Sequence, residues 1–210
     1  MSASEEKSRD CRPSRAEQRR EAFLEAARAV FLEQGYDAAS MAEIVSRAGG
    51  SLSTLYAQFG DKQGLFFAMI DERMREMANA MQVELSAHTP AREGLARIGR
   101  HFLEQVLYSG GVGMYRTIVS LASKYPDISR EFLQRGQMQV REALVSYLKD
   151  REDAGELTLK DPLRTANVFI DMVRGALFTR ALLDPDYDPT REEIAETVEA
   201  ALEIFLNGIA

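Results

Sequence analysis

Residues 40–62, SMAEIVSRAGGSLSTLYAQFGDK, carry a run of short polar side chains, Ser51, Ser53, Thr54, Tyr56 and Gln58, followed closely by Lys62. Hydroxyls and amides of this size suit phosphate oxygens and base edges. Two short helices and a tight turn are needed to present them together. Ser40 with Glu43 three residues later predicts a capping box at the start of the first helix, and Met41, Ile44, Val45 and Ala48 give that helix one apolar face. Gly49 and Gly50 stop it, because glycine reaches the backbone angles of a sharp turn without a steric penalty. Ser51 caps the second helix, where Leu55 and Phe59 anchor the inner face and the polar residues stay outside. The pattern is that of a helix-turn-helix over about 39–58 that offers its second helix to DNA. Two ordinary short helices would explain the caps and the apolar spacing, but not a polar face bounded so closely by a lysine.

With those residues in view, the chain resembles the TetR family of one-component transcriptional regulators. In that family a first helix ends in a phenylalanine, a short spacer and Gly-Tyr; Ala26, Ala27, Phe31, Gly35 and Tyr36 occupy those places here. The turn and second helix match at Ala48, Gly49, Ser51, Thr54, Leu55, Tyr56, Phe59 and Lys62, and Leu65 and Phe66 continue the match. Gly50, Ser53 and Gln58 depart from the residues usual at their positions. The segment 115–182 is similar to the C-terminal regulatory domain of the AefR-like branch, through Tyr125-Pro126, Arg130, Phe132, Gly155, Leu157, Asp161-Pro162, Ala166, Phe169, Met172 and Gly175.

The resemblance implies a homodimeric, ligand-controlled repressor of a palindromic double-stranded DNA operator. Its DNA contacts would come from Arg19, Arg20, Ser40, Ser51, Leu52, Ser53, Thr54, Tyr56, Gln58 and Lys62. Thr54, Tyr56 and Lys62 would hold the phosphate backbone, and Leu52 or Ser53 would touch base edges, with Leu52 either meeting a thymine methyl or folding inward beside Leu55. A small, largely apolar effector would sit among His101, Phe102, Val106, Met114, Tyr115, Ile118, Phe132, Met138, Phe169 and Met172, where methionine and aromatic side chains form adaptable walls. Family members pair through their last two helices, which points to Gly175, Ala176, Val198, Leu202 and Phe205 for the dimer interface. Arg174 and Arg180 would then make rim contacts with the other subunit or remain solvated. An activator or dual regulator could use the same machinery. A helical ligand-binding protein with a weakened reading head is the alternative from another class, motivated by charge.

The net charge is -7, and through Lys62 nine basic residues stand against ten acidic ones, so the DNA-binding half is only about neutral. Six of those nine lie in the first twenty residues, where an arm could follow the DNA backbone or enter a minor groove. The 45% hydrophobic content is enough for a core, and apolar residues recur at helical rather than alternating spacing, so the fold class is all-α. The first residues lack an apolar signal core and no stretch reaches the length of a membrane span, which predicts a cytoplasmic protein. A single cysteine, Cys11, excludes an internal disulfide and reads as a passive thiol or, less simply, a redox-sensitive one. His88 and His101 are too scattered for a zinc site, and Gly110, Gly111 and Gly113 lack the strand and lysine of a nucleotide loop. No cofactor, metal or catalytic residue is expected, and an enzyme is the most distant reading.

These observations divide the chain into a flexible arm (1–15), a three-helix DNA-binding domain (16–76) and an effector-binding and dimerisation domain (77–210). Helices are predicted over 16–34, from the stripe Phe23, Ala26, Ala27, Val30 and Phe31, and after an Asp61 cap, from Phe67, Ile70, Met74, Met77 and Met81. In the resembled family this fourth helix swings to change the spacing of the two recognition helices. Thr89-Pro90 starts the next helix, 128–148 reads as one continuous helix, Asp161-Pro162 opens another, and Thr190 with Glu193 forms a second capping box before the stripe Ile194, Val198, Ala201, Leu202 and Phe205.

Overall fold

The computed structural model describes residues 14–83, 89–136 and 138–209; Cys11, His88, the side chain of Met81 and the expected arm up to residue 13 lie outside them. Every regular element among the described residues is helical: α1 (Arg15–Ala38), α2 (Met41–Ala48), α3 (Leu52–Phe59), α4 (Lys62–Val83), α5 (Ala91–Tyr108), α6 (Gly111–Leu121), α7 (Pro126–Glu131), α8 (Met138–Asp153), α9 (Pro162–Leu183) and α10 (Arg191–Ile209). The architecture is therefore all-α, a helix-turn-helix bundle followed by a larger helical domain. The chain divides into two compact units, the first ending at Met69 and the second beginning at Ile70. The division after residue 76 read from the sequence falls in the same helix, α4.

The first unit is built around aromatic rings. A capping box that the sequence reading did not include, Ser14 with Glu17, opens α1. Gly35 (φ 76°, ψ 168°) interrupts α1 where the sequence placed its end, and the left-handed φ lets Tyr36 fold back to stack on Phe31 at 5.7 Å. Phe66 meets both rings edge-on at 5.2 Å, and Phe23 meets Phe59 edge-on at 6.3 Å. Phe23, Phe31, Ile44, Leu55, Leu65 and Phe66 are fully buried, whereas Phe67 is only partly so, because the buried face of α4 runs through Phe66, Ile70, Met74 and Met77.

The second unit packs α5 against α9 and α10, and α8 against α9. Leu95, Ile98 and Leu103 of α5 are fully buried, and Gly99 lets α5 approach α10 so closely that an added Cβ would stand 3.0 Å from Val198 Cγ1. Pro90 is the cap residue of α5 and not its first helical residue. A buried polar knot holds the start of α5: Tyr147 Oη donates to the Thr89 and Pro90 carbonyls, both at 3.0 Å, and Arg151 Nη1 donates to the Thr89 carbonyl and pairs with Glu156 at 2.9 Å. The other Glu156 oxygen accepts the Ala91 amide, an orphan donor of the first turn. The segment 128–148 is not one helix. A π-helical turn, Phe132–Gly136, separates α7 from α8, and no proline or glycine before Gly136 announces it. The caps at Asp161 and at Thr190 with Glu193 form as expected.

Candidate nucleic-acid interface and ligand cavity

Ser40 Oγ accepts the Glu43 amide at 3.2 Å, so the first half of the predicted capping box is present. The reciprocal half is not. The Glu43 carboxylate takes hydrogen bonds from Gln34 (2.8 Å) and Arg47 (2.7 Å), which hold it below the usual carboxylate range, Gln34 contributing most. Arg47 reaches on to Glu33 at 2.7 Å and ties α2 to α1. Between α2 and α3 the chain turns through Gly49 (φ 72°) and Gly50 (φ 100°). Both angles strain any L side chain, and the space is tight too: a Cβ on Gly50 would meet Phe23 Cζ at 3.1 Å, and one on Gly49 would meet Arg19 Nη1 at 3.3 Å. The left-handed φ of Gly50, with Phe23 close by, accounts for glycine at that position.

Ser51 caps α3 by accepting the Thr54 amide, and its hydroxyl lies 3.0 Å from Ser53 Oγ and 2.8 Å from Thr54 Oγ1. Leu55 and Phe59 are buried beneath, while Leu52, Ser53, Tyr56 and Gln58 stand exposed, Tyr56 at 49%. The outward edge of α3 is thus a connected hydroxyl cluster followed by a phenol and an amide, with Leu52 turned to solvent and not folded in beside Leu55.

The three cations assigned to DNA have other partners. Lys62 Nζ donates to the carbonyls of Tyr36 (2.8 Å), Ala39 (3.1 Å) and Asp37 (3.2 Å) and lies 4.7 Å from the Tyr36 ring centroid. Lys62, expected at the DNA backbone, is engaged within its own domain, its ammonium closing the carbonyl end of α1. Arg19 Nη1 donates to the Ala48 carbonyl at 3.1 Å, and the Arg20 guanidinium covers the Phe59 ring at 5.1 Å. Both brace the turn and the recognition helix from behind.

In the second unit a narrow cavity of about 30 Å³ is lined by Met74, Met77, Phe102, Val106, Tyr115, Val140, Arg141, Ile170 and Arg174. Phe102, Val106 and Tyr115 were expected there. Met74, Met77, Ile170 and the two arginines were not, although Arg174 follows Ile170 at helical spacing and Met74 and Met77 lie on the apolar face of α4 that the sequence displays. His101, Met114, Ile118 and Phe132 lie outside the lining, Phe132 meeting the Tyr115 ring edge-on at 5.2 Å. Met138 is corrected: it is 49% exposed. Phe169 is fully buried against Phe205 at 5.1 Å, and Met172 opens onto a separate groove with Thr165, Val168, Ile204 and Phe205.

The dimer residues need a similar correction. Val198, Leu202 and Phe205 are buried in their own subunit, because the regular stripe of α10 faces α5 and α9. Gly175 and Ala176 are exposed, and so are Leu163, Val168, Leu183 and Ile204, the last at 68%.

Residues 23–69 match the family described as bacterial regulatory proteins, tetR family, and residues 93–208 match the AefR-like transcriptional repressor, C-terminal domain. The chain is 30% identical over 143 residues to the HTH-type transcriptional repressor ComR of Escherichia coli K12, covering 66% of this chain and 67% of ComR. Among solved structures, the flavonoid-responsive regulator FrrA is similar at 30% identity and a TM-score of 0.70, covering 91% of this chain and 97% of FrrA. A TetR-family structure from Mesorhizobium loti MAFF303099 shares the fold at a TM-score of 0.84 and 22% identity, covering 94% of this chain and all of that one. The chain belongs to the TetR family of DNA-binding transcriptional regulators. Its members are not enzymes. No helix among the described residues is long and apolar enough to cross a membrane.

Proposed function

We propose that the protein is a homodimeric repressor of the AefR-like branch that binds a palindromic operator through α3 and leaves it when a small, largely apolar effector enters the cavity lined by Met74 and Ile170. The observation that carries this reading is the outward face of α3, where Ser51, Ser53, Tyr56 and Gln58 are exposed and Thr54 half-buried, on a helix whose other face is locked by Leu55 and Phe59. Phosphate contacts fall to Thr54 and Tyr56, and base edges to Leu52, Ser53 and Gln58, with Ser40 at the backbone. The arm at 1–15, the DNA-binding segment 16–76 and the regulatory segment 77–210 divide the work, and a chromosomal operator implies the cytoplasm.

The effector site is supported by the cavity's apolar walls and by the flavonoid response named for FrrA. At about 30 Å³ it has room for roughly two waters, so a ligand must push its walls apart. Met74 and Met77 are the adaptable part of those walls and belong to α4, the helix that begins at Lys62 in the first unit. A ligand that favours the opened state lowers operator affinity by the ratio of its affinities for the two states. Dimerisation is assigned to the exposed α9–α10 face with Gly175, Ala176, Val168 and Ile204, in place of the buried stripe.

The test is a footprint of the DNA upstream of the protein's own gene. Two protected half-sites about 34–36 Å apart and related by a dyad are expected. Protection abolished equally by unrelated competitor DNA would overturn the reading. A ligand-binding protein with a weak reading head is the second reading, favoured by the engagement of Arg19, Arg20, Arg47 and Lys62 within their own domain.

A further inference from the structure

Seven of the nine residues lining the cavity are apolar or aromatic, and the other two are Arg141 and Arg174. No carboxylate stands among these lining residues. Arg174 is largely withdrawn from water, its side chain only 22% exposed. One of its terminal nitrogens, Nη2, is held by Asp171 Oδ1 at 3.0 Å, and Asp171 itself stands toward solvent. The guanidinium lies 6.0 Å from the Tyr115 ring centroid and 5.6 Å from that of Phe178. Its Nε is buried and meets no hydrogen-bond acceptor. A buried donor on a charged group without an acceptor is costly, and the cost falls when an oxyanion supplies both the acceptor and the opposite charge. The planar fork of arginine suits a carboxylate.

We propose that the effector is an amphipathic acid, its carboxylate received by Arg174 at the polar end of the cavity and its apolar body laid along Met74, Met77, Phe102 and Val106. This deepens the effector-binding reading above and rests on it. Arg141 adds positive potential to the same space, and Ile170 and Val140 complete the apolar wall. The class includes straight-chain and aryl-alkanoic acids and disfavours their neutral esters and alcohols, whose oxygens can accept from Nε but bring no charge to the guanidinium.

The experiment is direct calorimetric titration of the full-length protein with straight-chain acids from hexanoate to tetradecanoate and with 4-phenylbutyrate, each paired with its methyl ester. The protein holds no tryptophan, so calorimetry avoids reliance on a fluorescence change. At least one acid is expected to bind about tenfold or more tightly than its ester. Arg174→Gln should abolish that preference, and Arg174→Lys, which keeps the charge but loses Nε and the fork, should retain only part of it. Circular dichroism melts of both variants separate lost binding from lost folding, and should Arg174→Gln fail to fold, the acid-to-ester ratio in the unaltered protein decides. Equal binding of acids and esters would overturn the carboxylate assignment while leaving an apolar effector site in place. Binding of no probe, or an acid preference untouched in a folded Arg174→Gln protein, would overturn it as well. The footprint on upstream DNA uses no ligand, so failure of the operator reading is read separately.

Discussion

Lys62 Nζ lies 2.8 Å from the carbonyl oxygen of Tyr36 and 4.7 Å from the centre of the same residue's ring, so one ammonium both caps α1 and covers its last aromatic side chain. Removing it leaves three carbonyls at a helix end without their shared donor. Lys62→Ala is expected to lower the melting temperature of the first unit, at a cost of about 1–3 kcal/mol, and to weaken DNA binding only through that loss. Thermal melts with and without an operator duplex check this. A fall in operator affinity with unchanged melting and a salt slope lowered by about one would restore the phosphate contact.

Tyr56→Phe removes an exposed hydroxyl from α3 and nothing from the core. Operator affinity should drop while the melting temperature stays put. Leu55→Ala behaves oppositely: the residue is fully buried, and about 2–5 kcal/mol of stability should be lost together with DNA binding. Gel shifts beside denaturant titrations distinguish the two.

An added methyl group at Gly94 would stand 1.9 Å from the Tyr147 hydroxyl. Gly94→Ala should therefore expel Tyr147 from the Thr89 and Pro90 carbonyls and destabilise the second unit. The ring carbon Cζ would be met at 2.3 Å as well, so Tyr147→Phe should not relieve the clash, whereas Tyr147→Ala should make the double loss smaller than the sum of the two single losses, a non-additivity that a double-mutant cycle measures.

Burial pushes the Tyr147 hydroxyl up to about 12, whereas a tyrosine in the unfolded chain titrates near 10. Between those values the unfolded chain has lost a proton that the folded protein keeps, so stability falls as pH rises through this window. The contribution is fully present below pH about 10. Tyr147→Phe should flatten the alkaline limb of a stability-versus-pH curve; a slope identical to that of the unaltered protein would contradict it.

The exposed α9–α10 face can be tested at Ile204. Ile204→Glu places a charge in the proposed seam, and sedimentation should show monomers whose own melting transition is little changed. Gly175→Glu is a poorer test, because Gly175 has φ +38° and any side chain there strains the backbone whatever lies opposite. A dimer of unaltered strength in Ile204→Glu would move the interface elsewhere.

The features legible in the sequence were those set by neighbours a few residues apart. Caps at Ser40, Ser51, Asp161 and Thr190 depend on one hydroxyl or carboxylate reaching an amide three residues on, and each forms. The recognition face follows from Leu55 and Phe59 alone. What the sequence concealed was which partner each long-range surface meets. Val198, Leu202 and Phe205 make a regular stripe, but spacing does not say whether a stripe faces its own core or a second copy; Leu163, Val168, Leu183 and Ile204, which lie off that stripe, are among the exposed residues. Likewise Lys62 and Arg174 read as surface cations until the fold brings Tyr36 to one and Tyr115 to the other. The π-helical turn that begins at Phe132 carries no local mark before its last residue, Gly136.

Gly175 leaves the helical basin in the middle of α9, between the half that bears Ile170 and Arg174 and the half whose closing carbonyls, Ala181 and Leu182, are gripped by Arg116 of α6. Such a helix is two rods joined by a swivel. Amide protons just beyond the swivel should exchange with deuterium well before those around Phe169 and Val173, and the distal rod can stay moored to α6 while the proximal rod tilts. A tilt at one end of α9 would then be absorbed at a single residue instead of being passed along its whole length.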